Sequence, residues 1–174
     1  IEKGFREADV VVEETYQTQT QYHGTLQTRA CVADWDGQHL TLWDATQGIW
    51  NSKETLAESL GIDPGNVRVI VHHLGGGFGS KAWCHRLSFF AAKLSMMTGR
   101  PVRMEATRRE EFLTHPHRWD CTIYLKMGVK KDGRLTAIEE KAIVNIGAAA
   151  LLNNYYPIGI IWHTSNLYEC PNVE

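Results

Sequence analysis

Four glycines lie close together near the middle of the chain, in the stretch Leu-Gly-Gly-Gly-Phe-Gly-Ser-Lys at positions 74–81. Glycine has no Cβ, so the backbone here can adopt positive φ angles and approach a ligand closely. The β-branched residues 67–71 predict a strand before this loop, and an apolar helical pattern follows it from residue 83. A glycine loop that leads into a helix presents free backbone N–H groups, which predicts a site for an anionic or carbonyl-rich ligand.

Two nucleotide-binding patterns can be compared with this loop. A P-loop requires Gly-Lys followed by Ser or Thr, but here a serine precedes Lys81 and Ala82 follows it. The phosphate cradle and the magnesium ligand of a P-loop are therefore both misplaced. The short form of the dinucleotide fingerprint fits better, because Gly77, Gly79 and Ala82 have its spacing and Glu105 ends the next predicted strand. Short glycine patterns also recur by chance, so a sharp turn without a ligand stays a third alternative.

Other residue pairs have types that could bind a metal or act as nucleophile and base. They are His72 with His73, His115 with His117, and Cys84 with His85. Neighbouring residues on a strand point to opposite faces, so His72 and His73 are poorly placed to chelate one ion. A cysteine at the start of an apolar helix is more often packed than reactive. We expect none of these pairs to form the site, and we expect no direct metal ligand in the chain.

The four cysteines are widely spaced and include no C-x-x-C pair. This spacing predicts neither a zinc site nor an iron–sulfur cluster within the chain. Disulfides are also unexpected in a chain of this length without secretory features. We therefore predict free thiols in a reducing, cytoplasmic compartment at Cys31, Cys84, Cys121 and Cys170.

The composition is that of an ordinary globular domain. Hydrophobic residues make up 43% of the 174 residues and charged residues 22%, which is enough to bury a core. The net charge of -2 and the lack of a basic stripe argue against a nucleic-acid partner. No apolar run approaches the length needed to cross a bilayer, so no membrane partner is expected. The start without methionine suggests that residues 1–174 are a single partial domain of a longer chain.

The first half of the chain is predicted to contain three strands and one helix. Alternating and β-branched patterns place the strands at residues 9–22, 29–35 and 39–45. Asp36 and Gly37 predict a hairpin turn between the second and third strands. Asn51, with Glu54 three residues later, has the pattern of a capping box and predicts the start of the helix, and Gly61 fits its C′ position.

The second half is predicted to alternate further strands with one longer helix. Strands are expected at residues 67–71, 102–106, 120–129 and 134–146, with a hairpin turn at 130–133 and a helix at 83–98. The apolar residues at helical spacing predict one buried face, formed by Trp83, Leu87, Phe90, Ala91, Leu94 and Met97. The charged run 108–111 predicts a solvated turn, and residues 147–150 and 153–157 have no clear period. The class is α+β, with mixed sheets, hairpins and strand–helix–strand crossovers.

The glycine loop and its flanks resemble the molybdopterin-binding subunit of the xanthine dehydrogenase and aldehyde oxidase family. The resemblance extends over most of the chain and is weakest after about residue 150. The motifs that match in order and spacing are 75–81 (Gly-Gly-Gly-Phe-Gly-Ser-Lys), Thr46-Gln47, the stretch 60–69 with its Leu-Gly and Val-Arg-Val, 99–103 (Gly-Arg-Pro-Val-Arg) with Arg108 and Glu110, and 131–137 (Lys-Asp-Gly-Arg-Leu-Thr-Ala).

The resemblance implies a set of cofactor-binding residues. In the family, the Gly-Gly-Phe-Gly stretch lies against the pyranopterin and beside the molybdenum, which corresponds here to Gly76, Gly77, Phe78 and Gly79. A family glutamine that follows a strand hydrogen-bonds an oxo ligand of the metal, and that position is Gln47. Backbone and carboxamide N–H groups are suitable donors to such a ligand, because they orient it without competing for the metal.

Two positions depart from the family pattern. Purine-oxidising members have a glutamate directly after the loop lysine, where it binds the heterocycle, whereas this chain has Ala82. The segment 23–27 matches a pattern that usually ends in glutamate, but here it ends in Gln27, which keeps hydrogen-bonding capacity and loses the charge. The family's substrate-placing arginine stretch and its late glutamate general base do not occur before Glu174, so no catalytic residue is expected within this chain.

The resemblance also implies the function of the full-length protein. It would be a molybdenum hydroxylase that oxidises a heteroaromatic or aldehyde substrate with water-derived oxygen, and the chain alone would be inactive. The cofactor would be a molybdenum–pterin, either molybdopterin or its cytosine dinucleotide. Iron–sulfur clusters and FAD would lie on partner domains or subunits, beside the remainder of the molybdopterin subunit. The alternatives are a nucleotide-binding module that uses Gly77, Gly79 and Glu105, and a structural domain of a larger assembly.

Overall fold

The structure is a computed structural model and describes residues 1–147, 164 and 166–174. Its elements in chain order are α1 (Glu2–Glu7), β1 (Val10–Thr18), β2 (Ala30–Trp35), β3 (Leu40–Asp44), α2 (Ile49–Leu60), β4 (Val67–Ile70), α3 (Arg86–Thr98), β5 (Val102–Glu105), α4 (Arg108–Thr114), β6 (Cys121–Val129) and β7 (Leu135–Val144). The α+β class is therefore confirmed. Of the two stretches without a clear period, 147–150 and 153–157, all residues except Gly147 lie outside the described residues. Within the described part, no helix is both long and apolar enough to cross a membrane.

The chain divides into two compact units. The first unit comprises Ile1–Gln21 and Arg118–Glu174 and contains an antiparallel sheet with the strand order β1-β6-β7. The predicted hairpin between β6 and β7 is confirmed, and Gly133 takes the positive φ of 89° that its turn needs. β1 is shorter than the predicted strand over 9–22, and its side chains are exposed along its whole length.

The second unit, Tyr22–His117, is built on a four-stranded sheet with the order β4-β3-β2-β5. β3 and β4 are parallel, whereas the β2–β3 and β2–β5 pairs are antiparallel. The helices α2 and α3 pack against this sheet. The central core residues, which have no exposed surface, are Ala33, Leu40, Leu42, Leu56, Ala91 and Ala92. Apolar burial by these residues fixes the strand ends from which the glycine loop and Gln47 extend.

The predicted capping box at the start of α2 is wrong. The helix begins at Ile49, its N-cap is Gly48, and no side chain caps it. The Asn51 side chain instead donates a long hydrogen bond of 3.5 Å to the carbonyl of Ala82. At the other end the prediction is confirmed, because Gly61 adopts the left-handed conformation with φ 69° that a C-cap glycine allows.

The helix after the glycine loop begins later than predicted. It starts at Arg86 rather than at residue 83, and its N-cap is His85, whose Nδ1 accepts a hydrogen bond from the backbone N–H of Leu87 at 3.1 Å. Non-helical residues therefore separate Gly79 from the helix. The expectation that the N–H groups of this helix serve the loop directly is wrong, because turn residues occupy the intervening chain.

The predicted buried face of α3 is also mostly wrong. Its buried residues are small, namely Ser88, Ala91, Ala92 and Ser95. Four of the large residues expected in the core are instead exposed, at 40% for Trp83, 49% for Phe90, 41% for Leu94 and 72% for Met97. Small side chains let the helix axis lie close to the sheet, and the two serine hydroxyls are satisfied by hydrogen bonds.

The charged run 108–111 is a helix, so the prediction of a solvated turn is wrong. Thr107 and Glu110 form a reciprocal capping box at the N-terminus of α4. Glu111, one position further, is buried with 7% of its surface exposed. The helix therefore directs one carboxylate into the second unit.

Candidate functional site

The glycine loop follows β4 and has an unusual backbone conformation. Gly76 and Gly79 have φ angles of 88° and 94°, and Phe78 between them has φ 51° although it carries a side chain. The Phe78 side chain is 62% exposed. Positive φ at a bulky residue is strained and must be held by its surroundings. The bonds that hold it include those from the Ser80 N–H and hydroxyl to the carbonyl of Gly77, both 2.9 Å long.

Gln47 lies against the C-terminal part of this loop. Its Oε1 accepts hydrogen bonds from the backbone N–H groups of Gly79, at 3.0 Å, and Lys81, at 3.3 Å. Its own backbone N–H donates to the carbonyl of Lys81 at 2.8 Å. Because backbone N–H groups only donate, the carboxamide atom that faces them must be the oxygen. The Gln47 NH₂ group is therefore not used in these two bonds and stays available as a donor.

Gly77 is the position where the Gln47 carboxamide and the loop are in closest contact. A Cβ built at Gly77 would overlap the Oε1 and Cδ atoms of Gln47 and would lie 2.7 Å from its Cγ. The absence of a side chain is therefore required by the geometry of the site and not by the φ angle of this residue. Of the predicted cofactor-binding residues, Gln47, Gly77 and Gly79 are brought into direct contact.

A second glutamine holds the N-terminal end of the loop. Gln27 Oε1 accepts from the N–H of Gly75 at 2.8 Å, and the backbone N–H of Gln27 donates to the carbonyl of Gly75 at 3.1 Å. A Cβ built at Gly75 would lie 2.6 Å from the Cβ of Gln27. The loop is therefore held at one end by Gln27 and at the other by Gln47.

Lys81 is almost completely buried, with 1% of its surface exposed. Its Nζ donates to the backbone carbonyl of Gln27 at 2.8 Å and is 3.5 Å from Gln27 Oε1. Burial lowers the pKa of Lys81, because desolvation penalises the charged form. A lysine is ordinarily expected at the surface, but here the ammonium group is hydrogen-bonded inside the unit.

A buried ion pair between Arg29 and Glu111 contacts the loop at Ser80. Arg29 Nη1 is 2.8 Å from Glu111 Oε1, and the backbone N–H of Arg29 donates to Glu111 Oε2 at 2.9 Å. The second guanidinium nitrogen of Arg29 donates to the carbonyl of Ser80. The side chains of both charged residues are less than a tenth exposed. Residue types and spacing do not indicate this pair, although the Thr107–Glu110 capping-box pattern is a signal that places Glu111 on a helix.

The family model for the molybdopterin cofactor-binding domain matches residues 1–174. The chain belongs to this family. Probable hypoxanthine oxidase XdhD of Escherichia coli (strain K12) is 34% identical over 174 residues, which cover 100% of this chain and 18% of the relative. The nicotinate dehydrogenase large molybdopterin subunit of Eubacterium barkeri is 31% identical over 179 residues, covering 100% of this chain and 41% of the relative.

Solved structures have the same fold. Quinoline 2-oxidoreductase from Pseudomonas putida 86 superposes with a TM-score of 0.87 at 29% sequence identity, over 98% of this chain and 22% of that chain. The molybdopterin cofactor-binding domain described here thus spans a minor part of the length of the relatives it matches, and the resemblance noted from the motifs is confirmed.

In this molybdopterin cofactor-binding domain, burial disfavours the charged forms of both the candidate nucleophile and the candidate base. Burial is the main cause that raises the pKa of the Cys84 thiol to about 12 and lowers the pKa of His85 to about 3. The ring of His85 stacks on that of His115 with 4.1 Å between centroids. The thiol of Cys84 is therefore packed, as expected, and all four cysteines are free.

The histidines considered as metal ligands are not arranged around a common point. The rings of His72 and His73 are 6.5 Å apart and inclined by 65°. Within the part of the chain that the structure describes, no group of three or more His, Cys, Asp or Glu side chains could hold a metal ion.

The dinucleotide alternative requires a different sheet. In that fingerprint, the strand after the helix lies near the strand before the loop. Here β4 and β5 lie at opposite edges of the four-stranded sheet, about 14 Å apart at the usual strand spacing. Glu105, the expected ribose ligand, ends β5 and pairs with Arg103.

Proposed function

We propose that this domain forms one wall of the cofactor site in a molybdenum hydroxylase. The observation that carries the proposal is the orientation of the Gln47 carboxamide, whose oxygen is used by the loop and whose NH₂ group is kept as a donor. The full-length protein would oxidise a heteroaromatic or aldehyde substrate with water-derived oxygen.

The residues present fit a molybdenum–pterin cofactor, either molybdopterin or its cytosine dinucleotide. A side chain at Gly77 would displace the Gln47 carboxamide, and the neighbouring Gly76 and Gly79 are partly exposed, so the loop backbone leaves room for close approach of a ligand. Gln47 and the stretch Gly76, Gly77, Phe78 and Gly79 would hold the group. When bound, the cofactor supplies the two-electron oxidation chemistry, which side chains alone cannot provide.

The chain's own residues bind and orient the cofactor. Gln47 would donate from its NH₂ group to an acceptor atom of the cofactor. The hydrogen bonds from the loop N–H groups to Gln47 Oε1 would keep the carboxamide from rotating. Phe78, held at positive φ, would cover the site with an exposed ring and exclude water from it. We place the general base beyond Glu174, so that this chain alone would be inactive.

The substrate class follows from Ala82 and from the names of the relatives. Purine-oxidising family members have a glutamate at the position of Ala82, and methyl in place of carboxylate removes the hydrogen-bonding partner of a purine. The matching relatives include a probable hypoxanthine oxidase and a nicotinate dehydrogenase. Hypoxanthine is itself a purine, so the names of the relatives include a purine substrate while Ala82 argues against one. The substrate class that we propose is therefore the broader one, a heteroaromatic or aldehyde compound.

The remaining proposals concern the whole protein. Residues 1–174 would be a single partial domain of the molybdopterin subunit, and the remainder of that subunit would complete the site. Iron–sulfur clusters and FAD on partner domains or subunits would remove the electrons. The protein would be cytoplasmic, where free thiols such as those of this chain persist.

The experiment that tests this function measures the cofactor of the full-length protein. Wild-type protein is expected to contain molybdenum and pterin in amounts stoichiometric with the chain. Gln47→Glu keeps an oxygen for Gly79 and Lys81 but removes the NH₂ donor, so turnover should fall by about tenfold or more. Gln38→Glu, on the exposed hairpin turn, is the matched control. A folded, active full-length protein without molybdenum would overturn the proposal, and tight NAD binding by residues 1–174 alone would favour the dinucleotide alternative.

A further inference from the structure

Gln27 contacts the glycine loop in a way that its sequence position does not indicate. It precedes the loop by 48 residues, and it makes two hydrogen bonds with one residue, Gly75, through its side-chain oxygen and its backbone N–H. The Cβ atoms of other residue types at position 75 would collide with Gln27. The position of Gly75 is thus determined by Gln27.

The segment that carries Gln27 is itself fixed by buried or charged donors. Lys81 Nζ and the hydroxyl of Thr25 both donate to the carbonyl of Gln27, each at 2.8 Å. The two guanidinium nitrogens of Arg108 donate to the carbonyls of Thr25 and Leu26, at 2.7 and 2.6 Å. The backbone of residues 25–27 therefore has charge-assisted hydrogen bonds, which are stronger than neutral ones.

Lys81 is an unusual anchor, because it is a buried ammonium group that binds to neutral oxygens. The ion pairs formed among the described residues do not include Lys81. A buried charge without a carboxylate is costly unless its hydrogen bonds are satisfied. The carbonyl and carboxamide oxygens of Gln27 supply two of those bonds, so the two residues depend on each other.

We infer that Gln27 is a positioning residue of the cofactor site: its carboxamide, anchored by the Lys81 ammonium group, sets the place of Gly75 and thereby of the loop backbone that faces the cofactor. This inference rests on the proposed function for the identity of the ligand. Gln27 holds the N-terminal end of the loop and Gln47 holds the other end, and of these two glutamines only Gln47 would contact the cofactor.

The test uses the full-length protein with two changes at the same position. Gln27→Met keeps the length of the side chain but removes its acceptor, whereas Gln27→Glu keeps an acceptor for Gly75 and Lys81. In Gln27→Met, backbone amides of the peptide 74–80 should exchange hydrogen about tenfold faster, since one hydrogen bond is lost. The molybdenum and pterin content per folded chain should fall as well. Gln27→Glu should restore both readouts, and Gln19→Met, at an exposed position, should change neither.

Lys81→Met gives a second, independent reading. If Gln27 and Lys81 position the loop together, Lys81→Met should also accelerate hydrogen exchange of the peptide 74–80. In the Gln27→Met/Lys81→Met double variant, this peptide should then exchange no faster than in the faster single variant. Lys131→Met, at an exposed position, is its control.

The inference is overturned if the peptide 74–80 of Gln27→Met exchanges hydrogen at the wild-type rate, or if Gln27→Glu accelerates exchange as much as Gln27→Met does. It is also overturned if the accelerations caused by Gln27→Met and Lys81→Met multiply in the double variant. Exchange is measured without reference to the cofactor. A wild-type protein that lacks molybdenum and pterin would therefore contradict the proposed function, while the exchange pattern would still decide whether Gln27 positions the loop.

Discussion

At the scale of single residues, Gly77 is the loop position where a side chain is least compatible with the site. Gly77→Ala would place a methyl group on the Gln47 carboxamide. Overpacking of this kind costs about 1–3 kcal/mol, and the simplest relief is rotation of Gln47 away from the loop. We expect at least about tenfold less bound molybdenum per chain, measured by elemental analysis of the purified full-length protein.

The control for Gly77→Ala is Gly133→Ala in the hairpin between β6 and β7. Gly133 has open space around it but a positive φ of 89°. Alanine there should lower stability by about 1 kcal/mol through backbone strain without any loss of cofactor. If Gly77→Ala and Gly133→Ala contained equal amounts of cofactor, the contact between Gly77 and Gln47 would not be the cause of the cofactor loss.

The Arg29–Glu111 pair gives a second prediction at this scale. Glu111→Leu leaves the guanidinium group buried without its carboxylate, so the free energy of unfolding should fall by about 3–5 kcal/mol. Adding Arg29→Met should recover part of this loss, because no uncompensated charge is then buried. Denaturant unfolding of the single and double variants measures both effects.

Glu105 provides the comparison for Glu111. It pairs with Arg103 at the surface, where ion pairs contribute about 0–1 kcal/mol. Glu105→Leu should therefore leave the unfolding midpoint nearly unchanged. If Glu105→Leu and Glu111→Leu were equally destabilising, burial would not be what makes the Arg29–Glu111 pair important.

At the scale of elements, the N-terminus of α3 predicts a dependence of stability on pH. Burial is the largest cause that lowers the pKa of His85 to about 3, and Arg29 and Arg86 lower it further. The folded protein therefore keeps this N-cap neutral, while the unfolded chain protonates it near pH 6.5. Its contribution to stability is complete above pH 6.5 and is lost as the pH falls towards 3.

The measurement compares wild type with His85→Asn. Asparagine caps helices well but does not titrate, so it isolates the proton uptake of His85 from that of the many carboxylates. The wild-type protein should lose stability between pH 6.5 and pH 3 more steeply than the variant. Parallel pH profiles would show that His85 protonates in the folded state as easily as in the unfolded chain.

The elements differ in how far the sequence predicts them. Strands and hairpin turns follow from alternation and from Asp-Gly patterns, which are local, and they are confirmed. The start of α2 was placed at Asn51 because a capping-box pattern is present there, but the strand-to-helix corner at Thr46 and Gly48 starts the helix earlier. The buried face of α3 could not be derived from hydrophobicity, since close packing on the sheet selects alanine and serine.

The site is predictable to the extent that its residues are adjacent in sequence or match a family motif. The loop and Gln47 were identified in this way. The roles of Gln27 and Lys81 depend on contact between residues 54 positions apart, and the Arg29–Glu111 pair on residues 82 positions apart. Composition and spacing carry no information about such contacts, and a charged residue is expected at the surface until its partner is known.

At the scale of the whole molecule, the proposed function implies that the amount of bound molybdenum limits activity but not folding. The fold of the second unit is stabilised by its own apolar core and by the buried Arg29–Glu111 pair, none of which involves a metal. Preparations with different molybdenum content should therefore share one fold. Their activity should be proportional to the metal bound.

Growth of the expression host on tungstate in place of molybdate tests this separation. We expect full-length protein with unchanged yield and circular dichroism, but with turnover that falls in proportion to the molybdenum-to-protein ratio. Iron and flavin content should stay constant, which excludes loss of the partner groups as the cause. Turnover that is independent of molybdenum content would contradict the proposed function. A protein that fails to fold without molybdenum would contradict the view that the apolar core and the buried ion pair suffice to build the wall of the site.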